Sequence, residues 1–232
     1  MTMIADNLHA VAQRIAHACQ QCDRPVDAVR LLAVSKTFGP DAVQAAFDVG
    51  QRAFGENYIQ EAVEKITALQ ALPIEWHCIG PIQSNKTRLV AEHFQWVHTV
   101  DRLKIAQRLS EQRPAHLPPL QVCIQVNVDG GPTKSGVAPQ EAAALAAAVA
   151  ALPRLQLRGI MCIPEPAPDF VAARAVFMSA KAVFDALLAQ GLPLDTLSMG
   201  MSGDLDAAIA GGSTMVRVGS AIFGARHYPA SA

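Results

Sequence analysis

The sequence predicts an α/β protein that forms a single (β/α)₈ barrel of the TIM type, with an extra helix at the N-terminus. Strand-like apolar runs alternate with helical patterns eight times, and eight parallel strands close into such a barrel. No long linker or shift in composition divides the 232 residues. The turn after the first strand holds one glycine, whereas the open doubly wound alternative normally has a glycine-rich turn there.

Each element follows from its periodicity. Helical spacing of Leu8, Val11, Ile15 and Ala18 predicts the N-terminal helix over residues 4–22. Short apolar runs bounded by turn residues predict strands at 30–36, 52–55, 75–79, 96–100, 120–128, 156–163, 197–199 and 215–218. The segments between them predict helices at 41–49, 58–69, 84–92, 102–111, after Pro139, 168–190 and 203–210. We expect one domain over 1–232, with the N-terminal helix in 1–29, the barrel in 30–226 and a tail in 227–232.

The bulk composition excludes several classes of function. The net charge of -1 and the low aromatic content argue against a nucleic-acid or membrane-surface partner. The N-terminus lacks the pattern of a signal peptide, and no apolar run is long enough to span a bilayer, so we expect a cytoplasmic protein. A monomer is a separate expectation. Cys19 and Cys22 have C-x-x-C spacing on a predicted helix, and we expect reduced thiols rather than a metal or redox site.

Lys36 is the first candidate functional residue, because it follows an apolar strand with two buried faces. Burying a lysine is costly, so either the side chain reaches solvent or the site uses an amine that loses its proton easily. Functional residues of (β/α)₈ barrels collect at the carboxyl ends of strands. The sequence places further polar residues there, at Glu56, Asn57, Tyr58, His77, Asn127 and Lys134.

The loops after strands seven and eight predict a phosphate site. "SMGMSGD" carries Ser202 before a helix that its hydroxyl is expected to cap, and "RVGSAIFG" carries Gly219 and Ser220 directly after the last strand. Phosphate sites in barrels recur at these two loops. The alternative is that the glycines only make tight turns.

Arg217 is a second charge on a buried strand. Strand alternation puts Met215, Arg217 and Gly219 on one face and Val216 and Val218 on the other. A guanidinium stays charged and needs acceptors, so Arg217 is expected to face either a structural carboxylate or a ligand atom with a lone pair.

Together these features predict the ligand chemistry. A neutral lysine amine attacks carbonyls and forms Schiff bases, and a neighbouring cation such as Arg217 would favour the neutral amine. Pyridoxal 5′-phosphate (PLP) combines an aldehyde, a phosphate and a pyridine nitrogen, which matches the three features. A Schiff-base aldolase acting on a sugar phosphate satisfies nearly the same requirements.

Seven ordered blocks, "AVSKT", "FGENYIQE", "WHCIGPIQSNK", "VNVDGGPTKSG", "GIMCIP", "SMGMSGDLDAAI" and "VRVGSAIFGAR", resemble the YggS/PROSC-type pyridoxal phosphate homeostasis proteins. That family is a single barrel related to the N-terminal domain of alanine racemase. The resemblance implies that PLP forms a Schiff base with Lys36, that Arg217 faces the pyridine nitrogen and that Asn57 lies near the ring. It also implies that Ser202, Gly219 and Ser220 hold the phosphate and that Lys134 lies at the mouth of the site.

The resemblance also implies a PLP carrier or regulator of vitamin B6 homeostasis, with apo PLP enzymes as possible partners and no catalytic residues. Most PLP enzymes place a carboxylate against the pyridine nitrogen, and an arginine there weakens the ring as an electron sink. Racemases with that arginine use a second base from another domain, and we expect this chain to lack one. The alternative is a PLP-dependent amino-acid racemase or lyase.

Overall fold

In the computed structural model, which describes residues 3–131 and 135–225, the eight strands form a closed parallel barrel. Each strand pairs with the next along the sequence, and β8 pairs with β1. This confirms the predicted fold class. The strands are β1 Arg30–Val34, β2 Ala53–Glu56, β3 Glu75–Cys78, β4 Trp96–Val100, β5 Leu120–Gln125, β6 Leu155–Met161, β7 Thr196–Ser198 and β8 Met215–Val218.

Helices surround this barrel. They are α1 Met3–Gln20, α2 Pro40–Asp48, α3 Ile59–Ala68, α4 Thr87–His93, α5 Leu103–Gln112, α6 Ala142–Ala150, α7 Phe170–Ala189, α8 Leu205–Ala210 and α9 Ser220–Phe223. Short 3₁₀ turns occur at Val26–Ala28, Ser84–Lys86 and Pro139–Glu141. None of the helices within the described ranges has both the length and the apolar character needed to cross a bilayer.

The extra helix α1 forms where its apolar spacing predicts it. Leu8, Val11, Ile15 and Ala18 are all buried, so the helix has one apolar face. It packs against α2, α8 and α9, which are the helices on either side of the β8–β1 junction. The N-terminal helix therefore covers the part of the barrel where the chain closes on itself.

The two faces of the sheet bury different residues. Outward-facing side chains such as Phe54 and Val216 join the large core between strands and helices. Inward-facing side chains fill the barrel, and one interior cluster contains Leu32, Val34, Ala53, Ile79 and Met215. Because alternate residues of a strand share a face, Arg217 lies on the interior face with Met215, as predicted.

Some predicted boundaries were wrong. Strand β1 ends at Val34, so Lys36 lies in the following turn, and β5 ends at Gln125 instead of residue 128. The four-residue helix α9 was not predicted. The residues of the predicted tail, 227–232, lie outside the described residues.

Candidate functional site

A cavity of about 280 Å³ opens at the carboxyl ends of the strands. It brings together all six residues predicted to form the site, which are Lys36, Asn57, Ser202, Arg217, Gly219 and Ser220. Phe38, Ile79 and Ile163, which were not predicted, are among the residues that form its apolar walls. Lys134, the lysine predicted at the mouth, lies outside the described residues.

The backbone on the N-terminal side of Lys36 is held by a buried ion pair. The Lys65 ammonium donates to the Ser35 carbonyl at 2.9 Å and to Glu56 Oε1 at 2.8 Å, and the Ser35 hydroxyl donates to the same carboxylate at 2.6 Å. Burial raises the pKa of Glu56 even though Lys65 opposes the shift. This pair fixes the end of β1 just before the partly buried Lys36.

The residue after Lys36 is held as well. Glu61 Oε1 accepts the Thr37 N–H at 2.8 Å and the Lys65 ammonium at 2.7 Å. Thr37 adopts the left-handed conformation, with φ of 69°, which is unfavourable for a β-branched residue. Such strain persists where the surrounding structure enforces it, often at functional sites. Glu61 and Lys65 on α3 thus hold both neighbours of Lys36.

The two predicted phosphate loops meet at their serines. Ser202 Oγ and Ser220 Oγ are 3.4 Å apart. Gly200 makes the first loop possible, because its φ is +95° and a Cβ there would lie 2.4 Å from the Cβ of Ala208. The predicted capping role of Ser202 was wrong. Helix α8 starts at Leu205, and the preceding Asp204 accepts the Met201 N–H at 2.6 Å instead.

Helix α1 holds both loops from outside. Arg14 donates to the Ser202 carbonyl at 2.7 Å and forms an ion pair with Asp206 on α8. Asn7 donates to the Ile222 carbonyl of α9 at 2.9 Å. Neither residue was predicted, since a polar side chain on the open face of an amphipathic helix carries no sign of its distant partner.

Arg217 is buried, with 4% of its surface exposed, and both of its acceptors are neutral. Its Nη1 donates to Ser198 Oγ at 2.8 Å and its Nη2 to the Cys162 carbonyl at 2.9 Å. Among the residues that the structure describes, it has no carboxylate partner, so the predicted structural ion pair is not observed there. A guanidinium has five N–H donors, which leaves some for a ligand in the cavity.

Asn57 presents an unsatisfied acceptor beside the cavity. Its Oδ1 is buried and has no hydrogen-bond partner, which costs roughly 1–3 kcal/mol. The backbone of Asn57 is tightly placed, because a Cβ at Gly80 would lie 2.2 Å from the Asn57 carbonyl oxygen. The amide oxygen of Asn57 is therefore available to accept a hydrogen bond from a ligand in the cavity.

Four other residues predicted at the strand ends do not line the cavity. Glu56 bonds to Lys65 instead, Tyr58 is 50% exposed, and Asn127 orders its own loop by accepting the Gly130 N–H at 3.1 Å. His77 lies deeper inside the barrel. The cavity therefore presents a lysine amine, a guanidinium, two hydroxyls and apolar walls, an arrangement suited to an anionic ligand with an apolar ring.

Comparisons with known proteins agree with this geometry. The family model described as alanine racemase, N-terminal domain, matches residues 7–227. The pyridoxal phosphate homeostasis protein of Pseudomonas aeruginosa is 59% identical over 232 residues and covers 100% of both chains. That of Escherichia coli strain K12 is 54% identical over 231 residues, covering 98% of this chain and 99% of its own.

A solved structure shows the same fold. PipY of Synechococcus elongatus PCC7942, with PLP bound, is 35% identical and matches with a TM-score of 0.82, over 95% of this chain and 100% of that chain. The chain therefore belongs to the family of the alanine racemase N-terminal domain and, within it, to the pyridoxal phosphate homeostasis proteins.

Proposed function

We propose that the chain binds PLP in this cavity and carries it, with little or no turnover of amino acids. The observation that carries the proposal is the convergence on one cavity of six residues that are far apart in the sequence. The names of the relatives and the PLP held by PipY support the choice of ligand.

The residues present fit PLP at each of its functional groups. Lys36 supplies an amine for the aldehyde, the Ser202 and Ser220 hydroxyls supply donors for a phosphate, and Arg217 supplies a donor for a pyridine nitrogen. The unpaired Asn57 Oδ1 is an acceptor for a donor on the ring. Apolar walls suit the flat faces of the ring.

When bound, PLP supplies a reactive aldehyde and a ring that can withdraw electrons. In this proposal Lys36 would hold PLP through its amine, which in the neutral form reacts with aldehydes with loss of water. Ser202, Ser220 and the backbone at Gly219 would hold the phosphate, because their hydroxyls and the N–H groups at the start of a helix are donors.

The lining of the cavity supports a carrier over an enzyme. Among residues 3–131 and 135–225, Lys36 and Arg217 are the only titratable side chains that line it. A racemase needs two groups that exchange a proton with the substrate, one on each face. Lys36 could supply one of them, but Arg217 keeps its proton and cannot supply the second. The cationic guanidinium also disfavours protonation of a pyridine nitrogen, so the ring would stabilise negative charge poorly.

The proposed partners are PLP and apo forms of PLP-dependent enzymes. A monomer is the proposed acting unit, because one chain supplies all six site residues. All five cysteines are free thiols, which suits the reducing cytoplasm as the proposed compartment.

The test compares PLP with pyridoxal, which lacks the phosphate, on the unaltered protein and on Lys36→Ala. The unaltered protein should turn yellow with PLP, and Lys36→Ala should lose the colour but retain weak PLP binding. Pyridoxal should bind Lys36→Ala on the order of a hundredfold more weakly than PLP, as expected for several lost charged hydrogen bonds. Lys104→Ala, an exposed lysine on α5, serves as the control. Equal affinities for PLP and pyridoxal would contradict the phosphate site.

A further inference from the structure

A line of hydrogen-bonded side chains runs through the barrel beneath the cavity. Arg217 donates to Ser198 Oγ, which lies 2.9 Å from His98 Nδ1. His98 Nε2 lies 2.9 Å from His77 Nδ1, and His77 Nε2 lies 2.6 Å from Glu75 Oε1. We call these five residues the interior network. Ser198, His98 and His77 are 0% exposed.

The network spans the barrel from one end to the other. Arg217 lines the cavity at the carboxyl ends of the strands, whereas Glu75 is the first residue of β3, at the amino ends. There Glu75 pairs with Arg30, the first residue of β1, at 2.8 Å. The cavity and the opposite end of the barrel are thus joined by direct hydrogen bonds.

The Glu75 end of the network fixes the direction of the hydrogen bonds when both imidazoles are neutral. The Glu75 carboxylate only accepts, so His77 carries its proton on Nε2 and donates it to Glu75. The unprotonated His77 Nδ1 then accepts from His98, which carries its proton on Nε2. The Ser198 hydroxyl accepts from Arg217, which only donates, and donates to His98 Nδ1.

The surroundings favour neutral imidazoles. Burial lowers the pKa of His77 below its usual 6.5 and lowers that of His98 further, with the charges of Arg217 and Arg30 adding to the effect at His98. Burial raises the pKa of the Glu75 carboxyl, but the interactions with His77 and the charge of Arg30 outweigh it and lower that pKa, so Glu75 is an ionised acceptor. The nearby thiols are neutral as well, because burial raises the pKa of Cys123 and Cys162 to about 12.

We propose that Ser198, His98 and His77 are positioning residues that orient the Arg217 guanidinium toward the cavity while keeping negative charge away from it. This inference rests on the proposed function. A carboxylate bonded directly to Arg217 would offset its charge and compete with the ligand for its donors. In the interior network, Ser198 and two imidazoles separate the Glu75 carboxylate from Arg217. The positive charge of Arg217 therefore acts on a ring nitrogen with little offset from a nearby negative charge.

The first test uses the protein without PLP. Nitrogen-15 NMR of labelled histidine should show a protonated Nε2 and an unprotonated Nδ1 for both His77 and His98 near neutral pH. A proton on Nδ1 of either ring, or an imidazolium, would overturn the proposed direction of the network. Replacing each histidine in turn by glutamine assigns the signals. The protonation states themselves are then read from the spectrum of the unsubstituted protein.

The second test uses PLP labelled at its ring nitrogen. Ser198→Ala removes an acceptor of Arg217, so PLP should bind about tenfold more weakly, or about 1.4 kcal/mol, and its nitrogen signal should shift toward the protonated form. The matched control is Ser110→Ala, since Ser110 is equally buried but bonds to the Pro153 carbonyl outside the barrel. An unchanged nitrogen signal in Ser198→Ala would overturn the positioning role. Failure of the unaltered protein to bind PLP would contradict the proposed function, and the histidine signals would still decide the direction of the network.

Discussion

Arg217 is the residue that bears most directly on catalysis. Its neutral acceptors, Ser198 and the Cys162 carbonyl, leave the guanidinium charge uncompensated by a direct carboxylate contact. A charged donor beside a pyridine nitrogen keeps that nitrogen unprotonated. A cofactor in that state stabilises a carbanion poorly, and each tenfold loss of rate corresponds to about 1.4 kcal/mol of lost transition-state stabilisation.

We therefore expect very slow removal of the α-proton from amino acids. The PLP-loaded protein is mixed with alanine or serine in deuterated water, and proton NMR follows exchange at the α-carbon. Exchange should stay well below the rates typical of enzymes, which are on the order of 1 per second or more. Free PLP at the same concentration is the control. Rapid exchange, racemisation or formation of a keto acid would favour the racemase or lyase instead.

Helix α1 is the element that connects the barrel exterior to the cavity. Arg14 bonds to the Ser202 carbonyl and to Asp206, and Asn7 bonds to the Ile222 carbonyl, so one helix holds both loops of the proposed phosphate site. Arg14 and Asn7 are far from these loops in the sequence, so their contacts with the loops are seen only in the folded chain.

Loss of the Arg14 contact should weaken PLP binding. Arg14→Ala should raise the dissociation constant roughly two- to fivefold, because the ion pair is partly exposed and such pairs contribute little. Arg24→Ala is the matched control, since Arg24 donates to the Ile209 carbonyl at the other end of α8. Fluorescence titration with PLP measures both variants. Equal weakening in the two variants would show that α8 is merely destabilised.

The order and number of strands, and the six residues that line the cavity, could be predicted from the sequence, because periodicity, turn residues and motifs are local. The ends of β1 and β5 could not, since side-chain patterns do not show where the hydrogen-bond ladder stops. Lys65 was also missed. A lysine on a helix usually lies in solvent, and only the packing of α3 against β1 and β2 buries it against Glu56.

At the scale of the whole molecule, the buried histidines should make stability depend on pH. Below pH 6.5, the unfolded chain binds protons at His77 and His98 that the native barrel excludes, because burial lowers both pKa values. The free energy of unfolding should therefore fall as the pH decreases, by about 1.4 kcal/mol per pH unit for each histidine. Glu56, whose pKa is raised by burial, acts in the opposite direction.

Urea unfolding across this pH range measures the effect, and the variants isolate it. His98→Gln should reduce the slope, whereas His116→Gln, at an exposed position, should leave it unchanged. If the slope is the same in all three proteins, the interior histidines bind protons equally in the folded and unfolded states, which would contradict the prediction.

The central claim is that Lys36 holds PLP in the cavity, and covalent trapping tests it most directly. The protein is loaded with PLP and reduced with borohydride, and its peptides are then analysed by mass spectrometry. We expect a pyridoxyl phosphate group on the peptide containing Lys36, with the other lysines unmodified at stoichiometric loading. A label on Lys86, Lys104 or Lys134 with Lys36 unmodified would contradict it.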